Sequence, residues 1–229
     1  IPVIHIELLE LWKRLADVEN TRISSVATSG NITGSGLSGD EVRLRDDITI
    51  NSAKINHHLI VGEENTGYQI GTGSVAVGYQ TVASGNYSHA EGSETEARGD
   101  YSHAEGWYAI ASGTYSHAEG EDTIAYDTAS HAEGIQTRAY ARGSHSEGGS
   151  SQAYGEFSHA EGIQTYAYGL YSHAEGYYTE ASGSISHAEG EAAEARGRGS
   201  HAEGHDTKAY GPSSHTEGGS TKTYGISSH

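Results

Sequence analysis

Ser88-His89-Ala90-Glu91-Gly92-Ser93-Glu94-Thr95-Glu96-Ala97-Arg98-Gly99-Asp100-Tyr101 is followed without a gap by Ser102-His103-Ala104-Glu105-Gly106, and the same fourteen-residue frame runs to the last residue. The Ser-His-Ala-Glu-Gly word occurs ten times, with Ser146 and Thr216 in the alanine place of two copies, and His229 opens an eleventh. A fixed short period is the signature of a solenoid, in which each repeat is one coil that stacks only on its neighbours. Ten near-equal copies of a His-x-Glu unit read as architecture and not as one active site.

Each frame divides into two extended runs that end in glycine. Gly92 recurs in every full copy through Gly218, and a second glycine recurs at Gly85, Gly99, Gly113, Gly155, Gly169, Gly183, Gly197, Gly211 and Gly225. This spacing supplies turns that need positive φ or close backbone approach. Asp127 and Ala141 break the second column. Aspartate tolerates left-handed geometry and Ala141 has Gly143 nearby, so local adjustment is expected at both.

Strand alternation sorts the faces. Thr95 and Ala97 share one face, and their equivalents stay small, as at Thr123 and Ala125, Thr137 and Ala139, Thr165 and Ala167, and Thr207 and Ala209. These residues are predicted to fill the inside of the coil. The opposite face carries Glu96, Ile110, Ile124, Arg138, Gln152, Tyr166 and Glu180 and varies as a solvent face does. In the first run Ala90 points inward, so His89 and Glu91 point outward. That outward face is the same in all ten copies: His89 and Glu91, His103 and Glu105, His117 and Glu119, His131 and Glu133, His145 and Glu147, His159 and Glu161, His173 and Glu175, His187 and Glu189, His201 and Glu203, His215 and Glu217. A constant outward face is predicted to be buried in an assembly, most simply on the axis of a parallel homotrimer.

Composition agrees with a narrow solenoid. Of 229 residues, 32 are glycine, one is phenylalanine and none is cysteine or methionine, and apolar content is 34%. A globular core of this size would use more Leu, Ile, Val and Phe. A Gly-rich acidic chain also suits disorder, but a disordered chain has no need to hold a register. The net charge of -18 argues against nucleic-acid binding. Without cysteine there is no disulfide or thiol chemistry, and no 18-residue apolar run offers a membrane span.

Three zones are expected. Residues 1–28 carry Ile4, Leu8, Leu11, Leu15 and Val18 at heptad spacing, which predicts a short coiled-coil helix. The alternative is one amphipathic helix on a globular body. Residues 29–73 read as a β-rich transition, with Val42 and Leu44, then Ile48 and Ile50, alternating with polar residues. A turn or bulge is expected near Asp46-Asp47, and Leu59-Ile60-Val61 forms a short apolar run, while His57 and His58 read as surface residues. Residues 74–229 are the array, opened by Ser74-Val75-Ala76-Val77-Gly78. Because the chain starts at Ile1 and stops inside a repeat, it is expected to be a piece of something longer.

Ser74 to Gly78 nearly reproduces a Ser-Val-Ala-Ile-Gly word, and in this the array resembles the head repeats of the trimeric autotransporter adhesins. The His-Ala-Glu form is similar to repeats of phage tail-fibre and tail-appendage proteins. The resemblance covers about Ser74 to His229. It implies an all-β solenoid, a trimeric left-handed parallel β-roll whose Val and Ile positions face the trimer axis. Here His and Glu stand at those positions, so the axis should be polar. Ten intervals of about 4.8 Å give roughly 48 Å of ladder.

Buried carboxylates need partners, so an interchain His–Glu hydrogen-bond network that sets register and trimer specificity is expected. Histidine and glutamate are also transition-metal ligands. Ten equal metal layers exceed what a structural role needs, so no metal and no cofactor is assigned, the seam being the one set of residues with the chemistry. No copy is set apart by a nucleophile, an acid pair or a pocket, so no enzyme is expected. Tyr126, Tyr140, Tyr154, Tyr168, Tyr210 and Tyr224 share another outward position. Such a column suits sugar rings or protein partners, or packs only against itself. Trp107, Tyr108, Tyr177 and Tyr178 could add to it. The expected function is a structural and receptor-binding phage tail fibre or appendage at the virion tail or extracellular surface. Its partners would be its own copies, other tail or surface-appendage proteins, and a host cell-surface glycan or protein receptor. The alternatives are a bacterial adhesin head and, below that, a spacer for an enzymatic domain beyond His229.

Overall fold

The computed structural model describes residues 59–64 and 70–229, all within one compact unit, Lys54–His229. The helix expected over residues 1–28, the alternation of Val42 to Ile50, and His57 and His58 lie outside the described residues. Among the described residues there are 22 strands and no helix, so no helix there is long and apolar enough to cross a membrane.

The first strand, β1 (Leu59–Glu64), takes in the apolar run Leu59-Ile60-Val61, and β2 (Val75–Ala83) opens the array. Each later coil gives a five-residue and a two-residue strand, beginning with β3 (His89–Ser93) and β4 (Glu96–Ala97) and ending with β21 (His215–Gly219) and β22 (Lys222–Thr223). Every strand from β2 to β20 pairs in parallel with its equivalent fourteen residues later, as in His89↔His103, Ala90↔Ala104 and Glu91↔Glu105, and Glu96↔Ile110. The register stacks each residue on its own repeat partner. The first step differs, since Leu59 pairs with Val75 and the register shifts between Glu63 and Glu64. The five-residue strands form one parallel sheet and the two-residue strands another. Their inner faces meet through one methyl layer.

That layer is the core. Ala90, Ala97, Ala104, Ala111 and their equivalents are 0% exposed, and Thr95, Thr123, Thr137, Thr165, Thr179 and Thr207 lie fully buried beside them. The inward faces read from strand alternation are therefore the faces observed. One buried methyl contributes only about 0.8 kcal/mol, so stability comes from repetition and from backbone bonds between coils. One coil carries serines at two of its inner positions, and both are hydrogen-bonded. Ser146 Oγ donates to the Ser151 carbonyl (2.8 Å) and Ser151 Oγ to that of Gly162 (2.9 Å).

The two glycine columns have different reasons. Gly106 has φ +118, and a Cβ there would fall 2.1 Å from the Gly120 carbonyl oxygen. Glycines of the second column, such as Gly99, avoid the left-handed region, but an added Cβ would lie 2.0 Å from the next carbonyl oxygen. They serve close approach alone. The left-handed geometry expected of Asp127 is not found there. Left-handed backbone sits instead at two other positions of each coil, as at Tyr87 (φ 57) and Glu94 (φ 56), and Gly143 (φ 62) occupies the first of these. The serine of the repeated word closes the outer turn. Ser88, Ser116, Ser186 and Ser214 each donate Oγ to the glycine carbonyl three residues back, at 2.6–2.7 Å.

Candidate functional site

The parallel register turns the His-x-Glu unit into two columns on one face. From His89 to His215 the imidazoles stack in nine successive pairs with centroids 4.6–4.9 Å apart. Only the step from His215 to His229 turns edge-on, at 61°. In eight coils, His89 through His187, Nε2 lies 3.5–3.9 Å from the carboxylate two residues on. These distances exceed a hydrogen bond. The rings are half-buried and the carboxylates face water more openly, at 42% and 53% exposure for His89 and Glu91.

The burial is concentrated at one atom. Nε2 of nine histidines, from His103 to His215, is buried with no hydrogen-bond partner among the described residues. Burial holds His103, His117, His131, His145, His159, His187 and His201 below the ordinary imidazole pKa, with neighbouring imidazoles adding to the shift and nearby glutamates opposing it. Neutral rings stack without charge repulsion, while the glutamates keep water on their outer side. Chemically the seam is a row of unused nitrogen ligands beside a row of carboxylates. Among the described residues, nothing supplies a hydrogen-bond partner to these nitrogens.

The other outward side is built differently. The column read as a free solvent face is partly covered. Glu194 and Lys208, equivalent residues of adjacent coils, are each about a fifth exposed and pair at 2.5 Å, and Arg138 reaches Asp122 at 2.9 Å. Fourteen-residue stacking makes neighbours of residues distant in sequence, which alternation alone does not reveal. The hydrogen bond to Glu194 raises the Lys208 pKa. Tyr126, Tyr140, Tyr154 and Tyr168 stack at 4.4–4.9 Å, and Tyr210 on Tyr224 at 5.0 Å. Their faces are occupied by one another, so they present edges and hydroxyls outward, as ladder packing requires. Trp107 meets Tyr108, and Tyr177 meets Tyr178, edge to face.

Sequence reasoning missed a second aromatic column. Tyr87, Tyr101 and Tyr115 stack at 5.1–5.2 Å, and Phe157 on Tyr171 at 5.4 Å, all exposed and at positive φ. The signal was present, because Gly143 and Gly199 take the same frame position and glycine marks positive φ.

The YadA head domain repeat model matches the chain in two copies, at residues 70–95 and 104–126. No curated protein matches the chain significantly. Residues 70–95 and 104–126 are thus similar to adhesin-head repeats, and the array as a whole is a parallel β-solenoid with His and Glu where Val75 and Val77 stand in the first copy.

Proposed function

We propose that the chain is a homotrimeric attachment fibre whose seam strands line the shared axis, working in a phage tail fibre or tail appendage that fixes the particle to its host. The observation that carries this reading is the seam, where nine buried Nε2 atoms have no partner among the described residues, on an outward face that ten frames repeat. Buried polar atoms in folded proteins are satisfied. Two further copies about a closed axis bring carboxylates and imidazoles of the same seam to meet them. The outer side, with its changing charges and aromatic columns, is then left for a host glycan or protein receptor and for neighbouring appendage proteins. A second reading, the head of a bacterial surface adhesin, is favoured by the matched head repeats. Either setting is extracellular or on the virion. We assign no catalytic step to the chain, since the His/Glu pair recurs in ten copies with none set apart.

Light scattering on the purified chain tests the trimer. Three times the chain mass of 24.1 kDa is expected, and a monomer at micromolar concentration would remove the shared axis. Gold-labelled antibody on purified virions and on whole bacteria separates the settings. Label on tails supports the fibre, and label confined to the cell surface supports the adhesin.

A further inference from the structure

We propose that the seam from His145 to His215 is a transition-metal site that fills only every second gap between coils. Each gap in this stretch brings two histidines and a glutamate together, as in His145, Glu147 and His159, with the ligand atoms within 4.8 Å of one another. Five such sets follow in succession, each sharing a histidine with the next. A tetrahedral ion with bonds of about 2.0–2.1 Å holds its ligands roughly 3.4 Å apart. Closing the remaining gap of little more than about 1 Å needs only side-chain rotation, because the backbone ladder already fixes the coils. All six histidines of the stretch have a buried, unpartnered Nε2. Two imidazoles and one carboxylate select zinc, nickel or copper over magnesium or calcium. The fourth position of a tetrahedral ion is left to water.

Occupancy follows from the shared histidines. A neutral imidazole that ligates through Nε2 has one lone pair there, so a filled gap blocks the gaps on either side. Five gaps in a row then hold at most three ions, at His145/His159, His173/His187 and His201/His215. A metal in every layer is excluded by the same rule that permits one in alternate layers. All ligands of an ion come from one chain, and an Nε2 that holds an ion is withdrawn from any hydrogen bond between chains.

The test is zinc binding by the full, untagged chain after stripping with a chelator, followed by calorimetry and by dialysis with elemental analysis. Saturation at three zinc ions per chain is expected. Two double variants each remove two imidazoles, and phenylalanine keeps the stack without a ligand atom. His159→Phe with His187→Phe leaves only the His201/His215 gap and should bind one ion. His145→Phe with His215→Phe leaves His159/His173 and His187/His201 and should bind two. Equal losses in the two variants would mean unspecific capture by histidine and would overturn the alternating site. So would five ions per chain, absence of binding, or weak binding that never saturates, the last marking an adventitious ion only. Should a variant lose its β-sheet circular dichroism, cobalt(II) bound to the unaltered chain gives a separate readout. Intense tetrahedral absorption that levels off at three equivalents supports the site, and a weak octahedral spectrum overturns it.

Discussion

The seam has two chemistries on one backbone. Val75 and Val77 pair in register with His89 and Glu91, and Leu59 and Val61 hold the same register positions one coil earlier. From His89 onward each full copy carries histidine and glutamate there. The coil does not change across this boundary. Ala76 and Ala90 are both fully buried, Gly78 and Gly92 take φ +131 and +123, and Ser74 and Ser88 make the same turn bond at 2.6 and 2.7 Å. Serine, alanine and glycine therefore specify the coil, and the outward pair is free as far as the fold is concerned. The polar pair carries a cost, an orphaned buried nitrogen in coil after coil, which valine does not. Its presence in ten frames points to assembly or to a ligand, the two roles assigned above.

The comparison breaks if the scaffold depends on what the seam carries. Gly78→Ala in the apolar stretch and Gly106→Ala in the polar stretch put a Cβ 1.9 and 2.1 Å from the next coil's carbonyl oxygen, both at positive φ. Backbone strain and overpacking together should cost about 4 kcal/mol in each, the largest effect expected. Urea unfolding of the two variants should give similar losses. A loss at one site several-fold that at the other would mean that the seam side chains share in holding the turn. Gly169→Ala meets its next carbonyl oxygen just as closely, at 2.1 Å, but at an ordinary φ, so it lacks the left-handed strain and should cost less.

A smaller effect is expected from carrying the apolar seam one coil further. His89→Val with Glu91→Val places the apolar pair of Val75 and Val77 in the next coil as well. Replacing buried polar or charged pairs by apolar residues is often neutral or stabilising. If the seam lies between chains, the melting temperature measured in chelator should rise, corresponding to about 1–3 kcal/mol. A fall would mean that the two valines meet water and that the seam is not an interface.

Period and alternation made much of this legible in the sequence. Ala90, Thr95 and Ala97 inward, and His89 and Glu91 outward, follow from a strand period of two read against a fourteen-residue frame. The unpartnered Nε2 atoms were not legible, because the reach of an imidazole toward a carboxylate two residues on depends on strand twist and rotamer. Nor was the left-handed backbone at Glu94, whose frame position carries no glycine in any coil. It is held by the neighbouring coil, as where Glu94 N–H donates to the Tyr79 carbonyl at 2.8 Å. The pairing of Glu194 with Lys208 also needed the register, since only stacking makes them adjacent.

The smallest effect should come from pH, and it acts on the polar stretch alone. Burial first, and neighbouring imidazoles second, hold seven seam histidines below the ordinary value, while the glutamates of their own and adjacent coils pull the other way. In the unfolded chain these imidazoles titrate near about 6.5. The folded chain thus binds fewer protons than the unfolded chain as pH falls through that value, and stability must fall with it. The melting temperature should be flat above about pH 7.5 and decline as the solution is taken through 6.5 toward 5.5. The rings are about a third exposed, so solvent screens much of the effect. Hydrogen exchange in the strand carrying Val75 and Val77 should not respond, since no imidazole stands on its seam. A melting temperature that rises on acidification would reverse the sign. It would mean that carboxylates from neighbouring chains, and not burial, set the charge of the seam.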